Sequence, residues 1–113
     1  MTISYGQFMG PTVLGTAAAT LLTIPVLPAT NLLRGGRIRL TNTTGNAVTA
    51  TLYGVPLAGA AGAANAFLSG KSIAANDYLD VDVPMLAPGG FVSGLAGAAA
   101  SITAHMISGS LFS

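Results

Sequence analysis

Apolar and polar residues alternate in short runs along this chain, and clusters of Gly, Pro, Asn and Asp cut the runs apart. That pattern is the signature of strands joined by turns. Its clearest instance is Arg37-Ile38-Arg39-Leu40-Thr41, where Ile38 and Leu40 share one face and both arginines the other, because successive strand side chains point to opposite sides. A turn follows at Asn42-Thr43-Thr44-Gly45-Asn46, whose Asn and Gly residues tolerate positive φ. The chain then returns into Val48 to Val55, with Val48, Ala50 and Leu52 on one face and Thr49, Thr51 and Tyr53 on the other. The pair predicts a hairpin.

A second strong alternation is Tyr78-Leu79-Asp80-Val81-Asp82-Val83, which turns Leu79, Val81 and Val83 inward and both aspartates outward. The segment Ile73 to Asp77 reads as the connecting turn before it, and Ala58 to Asn65, rich in Ala and Gly, fits a loop, a bulge or a turn of helix. Further strands are expected at Thr12 to Leu14, Leu21 to Val26, Phe91 to Leu95 and Ile102 to Ser108, the last two as a closing pair after Ala87-Pro88-Gly89-Gly90. About seven short strands at this spacing indicate a sandwich or barrel. No helix of crossover length separates them, so antiparallel order is favoured. The expected fold is all-β: a single antiparallel β-sandwich or jelly-roll-like domain over 12–113, preceded by an N-terminal arm over 1–11 that contains Tyr5 and Phe8.

Charge changes the picture. An average chain of 113 residues would carry about 28 Asp, Glu, Lys and Arg; this one has four basic and three acidic residues and no Glu. Met1 to Leu33 and Val83 to Ser113 contain none. A small domain with so little surface charge tends to associate, so the composition points to burial against copies of itself or against a larger particle. The net charge of +1 offers no basic footprint for nucleic acid. With no cysteine there is neither a disulfide framework nor a thiolate site. A membrane span is not expected either: the best apolar run, Thr12 to Leu27, is shorter than a spanning helix needs, is rich in Thr and is interrupted by Pro25.

The inventory for chemistry is thin. His105 has no acid or thiol near it in sequence, and a metal site needs three or four ligands. Asp80 and Asp82 share a strand face, but calcium wants six to eight oxygens, so a solvated face or an ion pair is the simpler reading. Arg37 and Arg39 share a face as well. They either meet Asp80 and Asp82 as cross-strand partners in one chain or pair with them across a subunit boundary and set orientation there; the second arrangement is the expectation. No nucleophile elbow or phosphate-binding loop is present, so no enzyme, metal or cofactor is expected.

The stretch from Ile38 to Tyr53, with LTNTTGNAVTATLY as its main cue, followed by Ser72-Ile73-Ala74-Ala75-Asn76-Asp77-Tyr78-Leu79-Asp80-Val81, resembles small β-sandwich virion proteins of tailed bacteriophages. Leu86-Ala87-Pro88-Gly89-Gly90-Phe91 is similar to the L-x-x-G turn that precedes their final hairpin, with Gly90 where an acidic residue is often found. The resemblance covers roughly residues 20 to 110; the N-terminal arm has no counterpart in it. It implies a capsid decoration or cement protein that self-associates, often as a trimer, and binds the major capsid protein or another virion protein within the phage particle, assembled in the host cytoplasm. A tail or fibre-base subunit fits the same resemblance. A carbohydrate- or receptor-binding β module would instead use exposed aromatics, for which Tyr53 and Tyr78 are the candidates. The residues expected at assembly contacts are Tyr5, Phe8, Arg37, Arg39, Asp80, Asp82 and Phe112.

Overall fold

A computed structural model describes residues 3–5, 11–25 and 32–112. Among these residues, nine strands form two antiparallel sheets. One sheet contains β1 (Ile3–Tyr5), β2 (Thr12–Val13), β4 (Leu32–Asn42), β7 (Tyr78–Asp82) and β9 (Ile102–Phe112). The other contains β3 (Ala19–Thr23), β5 (Val48–Val55), β6 (Ala66–Ile73) and β8 (Phe91–Ala96). Partners are nested along the chain: β2 with β9, β3 with β8, β4 with β7 and β5 with β6. Two further pairings, β4 with β9 and β5 with β8, complete the sheets. An antiparallel ribbon wrapped in this way into two facing sheets is a jelly roll, so the fold class read from the sequence holds.

Alternation explains which faces meet. Ile38 and Leu40 from β4, and Ile102, Ala104 and Met106 from β9, face Ala50 and Leu52 from β5 and Val92 and Ala96 from β8, all of them buried. Each aliphatic side chain fully removed from water contributes about 1.5–3 kcal/mol. Gly94 leaves room on the core face of β8 for two leucines, since a Cβ there would lie 2.7 Å from Leu52 Cδ2 and 3.1 Å from Leu21 Cδ1.

Two sequence expectations are corrected. Arg37 to Thr41 and Val48 to Val55 form strands, but they do not pair as a hairpin: β4 and β5 lie in opposite sheets. Phe91 to Leu95 and Ile102 to Ser108 are likewise separated, into β8 and β9. At the first of these crossings the physical reason is visible in Asn42, which is fully buried at the corner. Its Nδ2 donates to the carbonyls of Asn46 at 2.7 Å, Ile73 at 3.0 Å and Ala74 at 3.2 Å. Its Oδ1 accepts from Thr44 N at 3.0 Å and Thr44 Oγ1 at 2.7 Å. The side chain thereby satisfies backbone carbonyls on both sides of the junction, and it ties the β4–β5 corner to the β6–β7 corner. Asn76 N donates to Thr44 O at 3.0 Å across the same junction, with Asn76 in the left-handed region at φ 53.

Strand β6 was not expected from the sequence. Its register against β5 shifts twice, and Gly70 sits at φ 57, so no clean alternation survives in Ala66–Ile73. The segment before it contains a short 3-10 turn at Ala63–Asn65, one of the conformations allowed for Ala58 to Asn65. Strand β3 begins two residues before Leu21 and ends at Thr23, and β4 and β9 are longer than their alternating centres; Val26 lies outside the described residues. Within the stretch read as the arm, Ile3–Tyr5 pair with the far end of β9, and Phe8 lies outside the described residues.

Candidate interaction surfaces

Nesting β4 against β7 brings four of the expected contact residues together. Arg37 is opposite Asp82 and Arg39 opposite Asp80 in the ladder. Arg39 Nε donates to Asp80 Oδ1 at 2.7 Å and Nη2 to Oδ2 at 3.0 Å, a bidentate fork. Arg37 Nε reaches Asp82 Oδ1 at 3.0 Å. The Arg39 guanidinium carbon also lies 4.4 Å from the centre of the exposed Tyr78 ring, a cation–π distance. The hydrogen bond from Arg39 holds the Asp80 carboxyl below its usual range, and the same bond raises Arg39. These charges therefore answer one another within the chain, which corrects the expectation that they pair across a subunit boundary. His105, half-buried, is opposite Arg39 on the other side of β4. Tyr5 and Phe112 are brought to neighbouring strands: Tyr5 is opposite Ser110, and Phe112 is opposite Ile3 on β1 and Leu32 on β4.

Charge is thereby segregated by sheet. Arg34, Arg37, Arg39, Asp80 and Asp82 all belong to β4 and β7, whereas the other sheet carries only Lys71, on its edge strand β6. On the face of β5 and β8 turned away from the core stand Thr49, Thr51, Tyr53, Val55, Phe91, Ser93 and Leu95, of which Val55 and Ser93 are buried, with no charge among them.

A second uncharged surface lies at one end of the sandwich. There the segment after β5 and the segment between β7 and β8 enclose a cleft of about 440 Å³ lined by Gly54, Pro56, Leu57, Met85, Leu86, Ala87, Pro88 and Gly90. Leu57 and Met85 are 63% and 68% exposed, the two most exposed large apolar side chains among the described residues. Leu57 lies over Gly89, where φ is +81 and a Cβ would stand 2.5 Å from Leu57 Cδ1. The glycine thus serves both the turn and the close approach of the leucine. Leu57 and Met85 were not among the expected contacts. The available signal was their setting, since each is a large apolar residue next to a proline (Pro56 and Pro84) in a segment with no alternating pattern. The lining has no titratable group, so it is suited to apolar contact and not to acid–base chemistry.

No family model and no curated protein matches the chain. Among solved structures it is similar to a chain in the structure of infectious bursal disease virus, Gx strain, with a TM-score of 0.51 and 16% sequence identity. The match covers 97% of this chain and 30% of that one, so this chain spans under a third of the viral chain's length. At that identity the likeness concerns the fold.

Proposed function

We propose that this protein is a structural subunit of a virus particle, and specifically a capsid decoration subunit of a tailed-phage head that lays its apolar loop end on the shell. The observation that carries the reading is the cleft between Leu57 and Met85, an uncharged apolar surface exposed on a jelly roll that has few charges anywhere. Scattered exposed apolar residues are ordinary, but here two large ones line a single cleft, which favours a contact site. Methionine suits such a place because its flexible thioether adapts to a partner's shape. The nested strand order, the likeness of fold to a chain from a virus structure, and the resemblance of Ile38 to Val81 to phage virion proteins support the same assignment. The role is one of assembly, with affinity summed over many copies.

Immunogold labelling of purified particles tests the location. Label over heads is expected; label confined to tails would replace the decoration reading with a tail subunit, and unlabelled particles would end the virion reading. The contact itself is tested by Leu57→Ser combined with Met85→Ser. Losing about 1.5 kcal/mol of burial at each position corresponds to about a hundredfold loss of affinity for heads. Unchanged occupancy on heads would exclude the cleft as the contact.

A further inference from the structure

Strand β3 closes one edge of the four-stranded sheet: β8 lies on one side and, among the described residues, no strand lies on the other. A sheet edge offers unpaired N–H and C=O groups, and folded proteins usually blunt it with charge, proline, bulges or brevity. The other edges carry such devices. Asp80 sits at the centre of β7 and Asp82 at its end. Lys71 lies in β6, whose line is broken by Gly70 and by two register shifts. Beyond β9 the edge is divided between β1 and β2, of three and two residues. By contrast β3 reads Ala19-Thr20-Leu21-Leu22-Thr23, with no charge, glycine or proline, and Ala19, Thr20 and Thr23 are exposed. One register shift against β8, between Thr20 and Leu22, is the one such device it shares with β6, and it lets both leucines pack on the core. What remains at the edge is backbone flanked by small and β-branched side chains.

We propose that β3 is a self-association edge: two copies pair β3 with β3, antiparallel about a two-fold axis, and join their four-stranded sheets into one. In such a pairing a strand meets itself, so a charge at its centre faces the same charge on the other copy. Asp80 would do so in β7, its charge offset by Arg39 but its carboxylate still held on the edge strand, whereas β3 brings threonines and leucines into register with no charged group. A foreign strand would be selected by pockets for alternate side chains, and the outward residues of β3, Ala19, Thr20 and Thr23, are too small to build them. The second copy is therefore the occupant that fits. A five-residue edge buries less than the roughly 1,000 Å² of a stable interface, so the dimer is weak in solution and grows with concentration. The pairing does not rest on the virion reading, because it requires only that copies meet.

Sedimentation equilibrium of the full chain, from about 10 µM to about 1 mM, reads the association, and amide hydrogen exchange at both ends of the range reads its location. The expected result is a concentration-dependent dimer in which amides 19–23 gain protection as the dimer fraction rises. Thr20→Lys combined with Thr23→Lys should raise the dimer Kd by about tenfold or more, since it places like charges along the edge. Ser72→Lys, exposed on β6 at the opposite edge, should leave Kd unchanged. A monomer throughout the range overturns the proposal. So does any oligomer, a trimer included, in which amides 19–23 exchange as in the monomer, or one disrupted by Ser72→Lys and not by the β3 pair. Exchange on the unmodified chain decides the matter even where the lysine variants fail to fold.

Discussion

Replacing Asn42 with alanine removes the side chain that holds two corners of the jelly roll together. Three carbonyls lose a donor and Thr44 loses an acceptor for both its N–H and its hydroxyl. Only the bond to Ile73 O is wholly buried; the others border solvent, and water can replace them. A buried polar group left unsatisfied costs about 1–3 kcal/mol, and a replaced hydrogen bond about 1 kcal/mol or less. The expected loss is therefore about 3 kcal/mol, a large fraction of the 5–15 kcal/mol typical of a folded domain. For a chain of this length it lowers Tm by about 12 °C. Denaturant unfolding followed by circular dichroism measures the loss directly. Asn42→Asp sharpens the test, because the introduced carboxylate would face the same three carbonyls with no proton to donate. Those neighbours raise its folded pKa above the unfolded value of about 3.9. The raised pKa favours the protonated, donating form, so the stabilisation it brings is fully present below about pH 4 and lost as pH rises through the folded pKa. Relative to the unmodified chain at the same pH, Asn42→Asp should thus be less destabilising at pH 4 than at pH 7. A loss under about 0.5 kcal/mol for the alanine variant, the range of an ordinary surface change, would refute the reasoning, as would an aspartate variant with the opposite pH trend.

Two further outcomes follow from the same geometry. Gly94→Ala should destabilise by about 1–3 kcal/mol through overpacking, because the new methyl would stand 2.7 Å from Leu52 Cδ2; differential scanning calorimetry checks it, and an unchanged Tm would mean that the Leu52 and Leu21 side chains move aside freely. The depressed Asp80 carboxyl, held down first by its hydrogen bond from Arg39, supplies stability present above its unfolded pKa and lost as pH falls through the lower folded one. Asp80→Asn should therefore flatten the acid limb of the stability profile below about pH 4 and leave the limb near neutrality parallel to that of the unmodified chain.

Alternation was enough to orient the strands. Arg37 to Thr41, Val48 to Tyr53 and Tyr78 to Val83 each have one apolar face, and burial alone decides that this face turns inward, so core and surface positions were legible without any partner. The same argument is silent about neighbours. A period of two looks identical whether the next strand lies beside the first in one sheet or across the core in the other, and the two expected hairpins failed for that reason. Local turn chemistry at Asn42 to Asn46 does not separate the cases either, since Asn42 acts through carbonyls at Ile73 and Ala74, some thirty positions away. Strand β6 escaped notice because its bulges erase the alternation on which the reading depends.

The candidate surfaces divide along the same line. That seven charged residues leave most of this surface uncharged, and that five of them cluster in Arg34 to Arg39 and Asp80 to Asp82, is a property of the sequence, and it pointed to assembly. Only the tertiary structure decided that Arg37 and Arg39 neutralise Asp82 and Asp80 within one chain, because that depends on β4 being nested beside β7. It likewise brought Leu57 and Met85 to one cleft and left β3 at an uncharged edge. Composition sets how much charge a surface has to spend against association; the wrapping of the ribbon sets where that charge is absent.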